Sequence, residues 1–390
     1  MTTERDLTAA LDEAVQADAY AIDTEFHRER TYYPCLGLLQ LAWADRLVLI
    51  DPLAVSVAPL VELLAGDGVA VLHAAEQDLE VFMHECNKLP KKIFDTQLAA
   101  GFIGYTTPSL ATLHERLLGV KLTKQARLSD WLQRPLPPNM VAYAAADVAR
   151  LLEIQSILTT ELMTRGRLGW AQQEFALLSE RVHQSRNAAD AWLKIKEIRN
   201  LQGVHKARAQ AVAEWRTQYA ARTDQPLRHV LSDLGVASVA QHMPTSLQQL
   251  RQLRGVEPRN LRRGAGKELL EQLAALRAAD LLPKTSPAAP KLPTQLKPAV
   301  SLITSWAAQH ATTAELDPAL LATRNDIEQL LAGDPNSRAA KGWRAEMIAA
   351  PVQQLLAGQV AIAFDPQGKL ILEKRSGCPL TPVADTDAAK

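Results

Sequence analysis

Residues 19–30 read AYAIDTEFHRER, and the two acids in that run decide how the first part of the chain is read. The stretch from 15 to 26, VQADAYAIDTEF, is largely apolar, and so is LGLLQLAWADRLVLIDP at 36–52. Both predict buried strands of a mixed sheet. Residues two apart on a strand face the same way, so Asp23 and Glu25 project their carboxylates to one side. Further on, GVAVLHAAEQDLEVFMHE (68–85) reads as a strand ending near His73 that runs into a helix holding Asp78. MVAYAAADVARLL (140–152) reads as a helix on which Tyr143 and Asp147, four apart, share a face.

Three separate elements thus each offer acid to one centre. Carboxylates gathered in this way repel one another unless they are protonated or bound to cations. Hard oxygen donors suit Mg²⁺ or Mn²⁺. Two such ions about 3.5–4 Å apart hold both the attacking and the leaving oxygen of a phosphodiester, so hydrolysis of a nucleic-acid backbone is the chemistry this pattern suggests. A phenol of pKa about 10 is a poor base, which leaves Tyr143 the role of orienting the attacking water.

The DTE at 23–25, the HAAEQDLEVF at 73–82 and the YAAAD at 143–147 together resemble the DEDD exonucleases, in the subclass with tyrosine in the third motif. With IFDTQLAAGFIGY (93–105) and LTKQARLSDWLQRPLPPNMVAYAAADVARL (122–151), the first 160 or so residues look like the bacterial ribonuclease D family. That resemblance implies a ribonuclease H-like α/β domain, two divalent metal ions and removal of nucleotides from a 3′ end. It carries Asp23, Glu25, Asp78 and Asp147 over as metal ligands and Tyr143 as the residue positioning water. Met140 departs from the expected polar residue three places before the tyrosine, away from the ligand set.

Formal net charge is zero, but it is unevenly spread. Residues 1–150 hold 13 basic against 20 acidic side chains (−7), residues 151–298 hold 22 against 13 (+9), and residues 299–390 hold 8 against 10 (−2). An acidic first domain suits a metal site, and a basic middle suits phosphate contacts. The three cysteines, Cys35, Cys86 and Cys378, are scattered without metal-ligand spacing, which predicts a reduced, cytoplasmic setting. The charged N-terminus does not read as a signal peptide, and no apolar stretch reaches membrane-spanning length.

Beyond Asp147 the chain reads as helical. HKARAQAVAEWRTQYAARTDQPLRHVL opens a compact helical unit, and the proline-rich KTSPAAPKLPTQLKP (284–298) reads as a semi-rigid linker. AEWRTQYAARTDQPLRHVLSD (213–233), MPTSLQQLRQLRGV (243–256) and RRGAGKELLEQL (262–273) resemble the HRDC module. LLATRNDIEQLLAG (320–333) and GWRAEM (342–347) resemble it more loosely. The expected organisation is an exonuclease domain (1–170), a helical connector (171–204), an HRDC domain (205–283), the linker (284–298), a second all-α HRDC-like domain (299–376) and a disordered tail (377–390).

Substrate contacts are expected from Lys124, Arg127 and Arg134, which solvation of a surface explains almost as well. Trp131 either stacks on a base and walls the cleft or packs under the helix of 140–152. Arg251, Arg254, Arg259, Arg262, Arg263 and Lys267 form a basic cluster suited to RNA phosphates, with a solvated helical surface as the plain alternative. Trp215 reads as core, and His73 as support for the site's backbone. His84 and Cys86 lack further partners for zinc. The expected function is a monomeric 3′→5′ exoribonuclease acting on RNA with accessible 3′ ends, by resemblance including transfer-RNA precursors and small structured RNAs. The alternatives are a DNA exonuclease with the same chemistry and an inactive nucleic-acid-binding protein.

Overall fold

The structure, a computed structural model, describes residues 1–122, 129–185, 187–261, 264–278, 283 and 290–376. Lys124, Arg127, Arg262, Arg263, residues 284–289 of the proline-rich linker and the tail from 377 lie outside the described residues. The chain divides into two compact units, one of residues 1–99 with 108–287, the other of residues 100–107 with 288–390. Among the described residues no helix is long and apolar enough to cross a membrane.

The first unit is built on a five-stranded mixed sheet. Its strands are β1 (Ala19–His27), β2 (Cys35–Trp43), β3 (Arg46–Ile50), β4 (Val69–Leu72) and β5 (Lys92–Asp95), in the order β3-β2-β1-β4-β5. β2 lies antiparallel to β1 and β3, while β4 runs parallel to β1 and β5. The helices around it are α1 (Glu4–Ala14), α2 (Leu60–Ala65), α3 (Glu76–Glu85), α4 (Thr96–Gly101), α5 (Leu110–Leu118), α6 (Pro138–Ala149), α7 (Leu151–Thr164) and α8 (Leu168–Ser185). Strand alternation sorts β1 between two layers. Tyr20 and Ile22 join Leu39, Leu41, Leu79 and Phe82 in one core, beneath α1 and α3. Asp23 and Glu25 face the other way, where Leu38, opposite Glu25, packs with Met140 and Ala144 of α6. A break in register between Glu25 and Phe26 ends this alternation. Such bulges re-aim side chains at sheet ends.

After α8 come α9 (Gly203–Thr223), α10 (Leu227–Val230), α11 (Asp233–His242), α12 (Leu247–Arg251) and α13 (Ala265–Ala278). They enclose a separate core that includes Val212, Trp215, Tyr219, Val239, Leu250 and Leu273, so Trp215 is a packing residue. Buried Arg216 of α9 donates to the Leu231 carbonyl and pairs with Asp233, tying the start of α11 to α9.

The second unit holds α14 (Lys297–Thr313), α15 (Pro318–Leu321), α16 (Arg324–Leu331) and α17 (Ala350–Leu356). A capping box of Thr323 and Asp326 opens α16, and Arg338 pairs with the same Asp326. A hairpin of β6 (Val360–Phe364) and β7 (Leu370–Lys374) follows, so the C-terminal region is helical but not all-α. The sequence VAIAF at 360–364 is apolar at every position, and a short run of that kind shows no period that separates strand from helix.

Candidate active site

Asp23 and Glu25 reach the site from β1, and Asp147 reaches it from the last turn of α6, which packs across β1, β2 and β3. One carboxylate oxygen from each of the three lies within 4.8 Å of the others. Tyr143, one helical turn before Asp147, donates its hydroxyl to that carboxylate. Asp78 stands slightly apart because its helix packs on the opposite face of the sheet. Its Oδ1 accepts from the Thr24 amide at 3.1 Å and from the Thr24 hydroxyl, so the residue between Asp23 and Glu25 ties the fourth acid to the strand.

The electrostatics follow from that crowding. Burial first, then Asp78, Asp147 and Glu25, hold the Asp23 carboxyl well above the usual carboxylate range. Burial, reinforced by Asp147 and Asp78, pushes Glu25 up to about 8. Asp78 rises to about 7 through burial, against the opposing pull of its Thr24 hydrogen bonds. Asp147 also rises to about 7 by burial, offset in part by Tyr143. The Tyr143 phenol is raised by burial and then by Asp147, Glu25 and Asp23, so it stays protonated at neutral pH. An all-oxygen cluster whose members hold on to protons for want of positive charge fits hard divalent cations.

Two residues missing from the sequence reading support this geometry. Asp95, 2 % exposed at the end of β5, accepts four backbone N–H bonds, from Ala74, Ala75, Gln97 and Leu98. It thereby fixes the turn that launches α3 and caps α4. Its place before α4 marks it locally as a cap at most, since its other two partners lie about 20 residues upstream. Gln40, fully buried on β2, stands opposite Asp23 in register, and its side-chain amide has no hydrogen-bond partner among the described residues. His73 sits beside this turn, with Nδ1 2.9 Å from the Thr96 hydroxyl.

Two expected substrate contacts need correcting. Trp131 is 3 % exposed and packs with Leu38, Met140 and Ala144, so no face is open to a base. Gly37 lies so close that a Cβ there would come within 2.8 Å of Trp131. Arg134 is committed internally. It makes two bonds to Asp51, at 2.7 and 2.6 Å, and donates to the carbonyls of Trp131, Gln133 and Gly37. Arg251, Arg254, Arg259 and Lys267 are exposed on the helical part of the unit.

Strand-borne acids beneath a helix carrying a tyrosine and an aspartate form a site suited to metal-dependent phosphodiester hydrolysis. A family model described as 3′-5′ exonuclease matches residues 1–163, and one for the HRDC domain matches residues 205–273. The ribonuclease D of Escherichia coli (strain K12) is 37% identical over 375 residues, covering 91% of this chain and 98% of its own. That of Acidiphilium cryptum (strain JF-5) is 33% identical over 371 residues, covering 93% of each chain. The crystal structure of Escherichia coli RNase D, described as an exoribonuclease involved in structured RNA processing, superposes with a TM-score of 0.80. It shares 33% identity and covers 92% of this chain and 98% of that one. The chain belongs to the ribonuclease D family.

Proposed function

We propose that this chain, a 3′→5′ exoribonuclease, removes nucleoside 5′-monophosphates one at a time from RNA with accessible 3′ ends, transfer-RNA precursors and small structured RNAs among them. The observation that carries the reading is the convergence of Asp23, Glu25 and Asp147 to within 4.8 Å at a site that resists their ionisation. Asp23, Glu25, Asp78 and Asp147 would hold two divalent ions, Mg²⁺ or Mn²⁺. When bound, these supply an activated water and stabilise charge on the departing 3′ oxygen. Thr24 holds Asp78 in line with the strand-borne pair. Tyr143 keeps its proton and stands beside Asp147, which makes it a hydrogen-bonding guide for the attacking water rather than a base. The exposed Arg251, Arg254, Arg259 and Lys267, with Arg262 and Arg263 next to them in sequence, would meet the phosphates of the RNA body. It would act as a monomer, and the free thiols of Cys35 and Cys86 suit a reducing cytoplasm.

The test follows a 5′-labelled RNA hairpin with a single-stranded 3′ tail, with Mg²⁺, beside its DNA counterpart. The expected result is a ladder that shortens from the 3′ end on RNA, with little change on DNA, abolished by Asp23→Ala while RNA binding persists. Equal or faster loss of DNA would move the substrate class, and an intact RNA would leave binding alone as the function.

A further inference from the structure

A cleft of about 700 Å³ opens between the exonuclease fold and the helices that follow it, within the first unit. Two of its lining residues follow the acids closely in the chain. Arg28 lies three residues beyond Glu25, roughly 10 Å along an extended chain, and Glu80 lies two residues beyond Asp78 on α3. Arg28 and Glu80 form an ion pair that joins the two elements at the mouth. Behind it Tyr33 stacks on the exposed His84, with ring centroids 4.2 Å apart and planes 7° from parallel. The far wall carries Lys194 and Arg228, both exposed, and among the described residues neither has a carboxylate in ion-pair reach. The lining therefore leaves two uncompensated cations and an aromatic shelf, a few residues along the chain from the acidic metal site. A phosphate between neighbouring bases offers the complementary chemistry.

The helical domain shapes this wall directly. Asp224, in the left-handed conformation at the end of α9 (φ 46°), accepts the backbone N–H groups of Tyr32 and Tyr33 at 3.0 and 3.1 Å. The loop that carries the shelf is thus held by the helical domain rather than by the sheet it leaves.

We propose that this cleft is a subsite for the RNA strand just upstream of its 3′ end, with Lys194 and Arg228 on its phosphates and the Tyr33–His84 stack under a base. The proposal rests on the exoribonuclease reading and adds to it where the strand runs after leaving the acids. Binding of a 5′-labelled, unstructured RNA is measured by anisotropy in EDTA across a salt series, for the wild type and a Lys194→Ala/Arg228→Ala protein. With two fewer phosphates neutralised, the log–log salt slope should become shallower by about 1.4, at about 0.7 per phosphate on single strands. With Mg²⁺, KM for a tailed RNA should rise about tenfold with kcat nearly unchanged, and hydrolysis of a dinucleotide, too short to reach the cleft, should not change.

An unchanged salt slope and KM would overturn the subsite, as would an equal loss on the dinucleotide, which would place both residues at the reacting end. Adenosine 5′-monophosphate is the control ligand. If it binds the wild type, fails to bind the double variant and leaves RNA affinity alike in both, the cleft holds free nucleotide and the proposal fails. If the wild type degrades no RNA, it is the exoribonuclease reading that fails, and the anisotropy series in EDTA still decides the cleft.

Discussion

Tyr143 differs from Phe only in a hydroxyl, and that hydroxyl donates to Asp147 while burial and three acids keep it protonated. Tyr143→Phe should therefore leave the acid cluster able to bind metal but without its guide for water. We expect kcat to fall about 10²–10³-fold, within the range for positioned proton-handling groups, with KM nearly constant. Metal binding followed by calorimetry should match the wild type, and a full loss of metal affinity would instead make the tyrosine a structural prop for Asp147. Arg134 makes the opposite case. Its guanidinium is committed to Asp51 and three carbonyls, and this pairing holds the Asp51 carboxyl below its usual range. Arg134→Ala should lower stability by about 1.5–3 kcal/mol, the scale for hydrogen bonds to charged groups, and leave the salt dependence of RNA binding untouched. A shallower salt slope in that variant would return Arg134 to the substrate.

At the level of elements, two periodicities carried the site's legibility. Period two on β1 put Asp23 and Glu25 on one face, and the four-residue helical spacing on α6 put Tyr143 beside Asp147. Both rules act within one element, so a sequence can display them. Asp78 was legible only as an acid on a helix, because its tether to Thr24 spans 54 positions. Trp131 stayed ambiguous for a related reason, since the face it buries belongs to Leu38 on β2 and Met140 on α6. Asp95 was legible at most as a cap, although it organises the entry to α3. Its four N–H partners make it costly to replace, and Asp95→Ala would leave the turn at 73–75 without its anchor. We expect a loss of at least about 2 kcal/mol of stability, together with weaker metal binding as Asp78 loses its fixed helix start. Asp95→Asn, which keeps an acceptor oxygen, should recover part of both. Thermal melts and metal titrations on the two proteins check this, and an Asp95→Ala protein with wild-type metal affinity would separate α3 placement from the site.

For the molecule as a whole, the acid cluster couples folding, protons and metal. Glu25 near 8 and Asp78 and Asp147 near 7 all lie above the ordinary carboxylate values near 4. Between about pH 4 and pH 8 the metal-free native protein thus holds protons that the unfolded chain has released. Stability then falls as pH rises, because the stabilising contribution is whole below the unfolded pKa and is lost as pH passes the folded one. Divalent metal reverses this dependence. It binds the deprotonated acids, so its affinity climbs through the same window and levels off above about pH 8. Ligand linkage sets the scale, about 2.7 kcal/mol when free metal is 100 times its dissociation constant. In EDTA, Tm should therefore drop from pH 5 to pH 8, and Mg²⁺ or Mn²⁺ should raise it far more at pH 8 than at pH 6. Asp23→Asn should flatten the metal-free curve and abolish the metal-induced gain, since one change removes both a repelling charge and a ligand. A metal-free Tm that holds steady across this range, or a metal effect equal at both pH values, would show that the acids ionise independently and are not held in readiness for a cation.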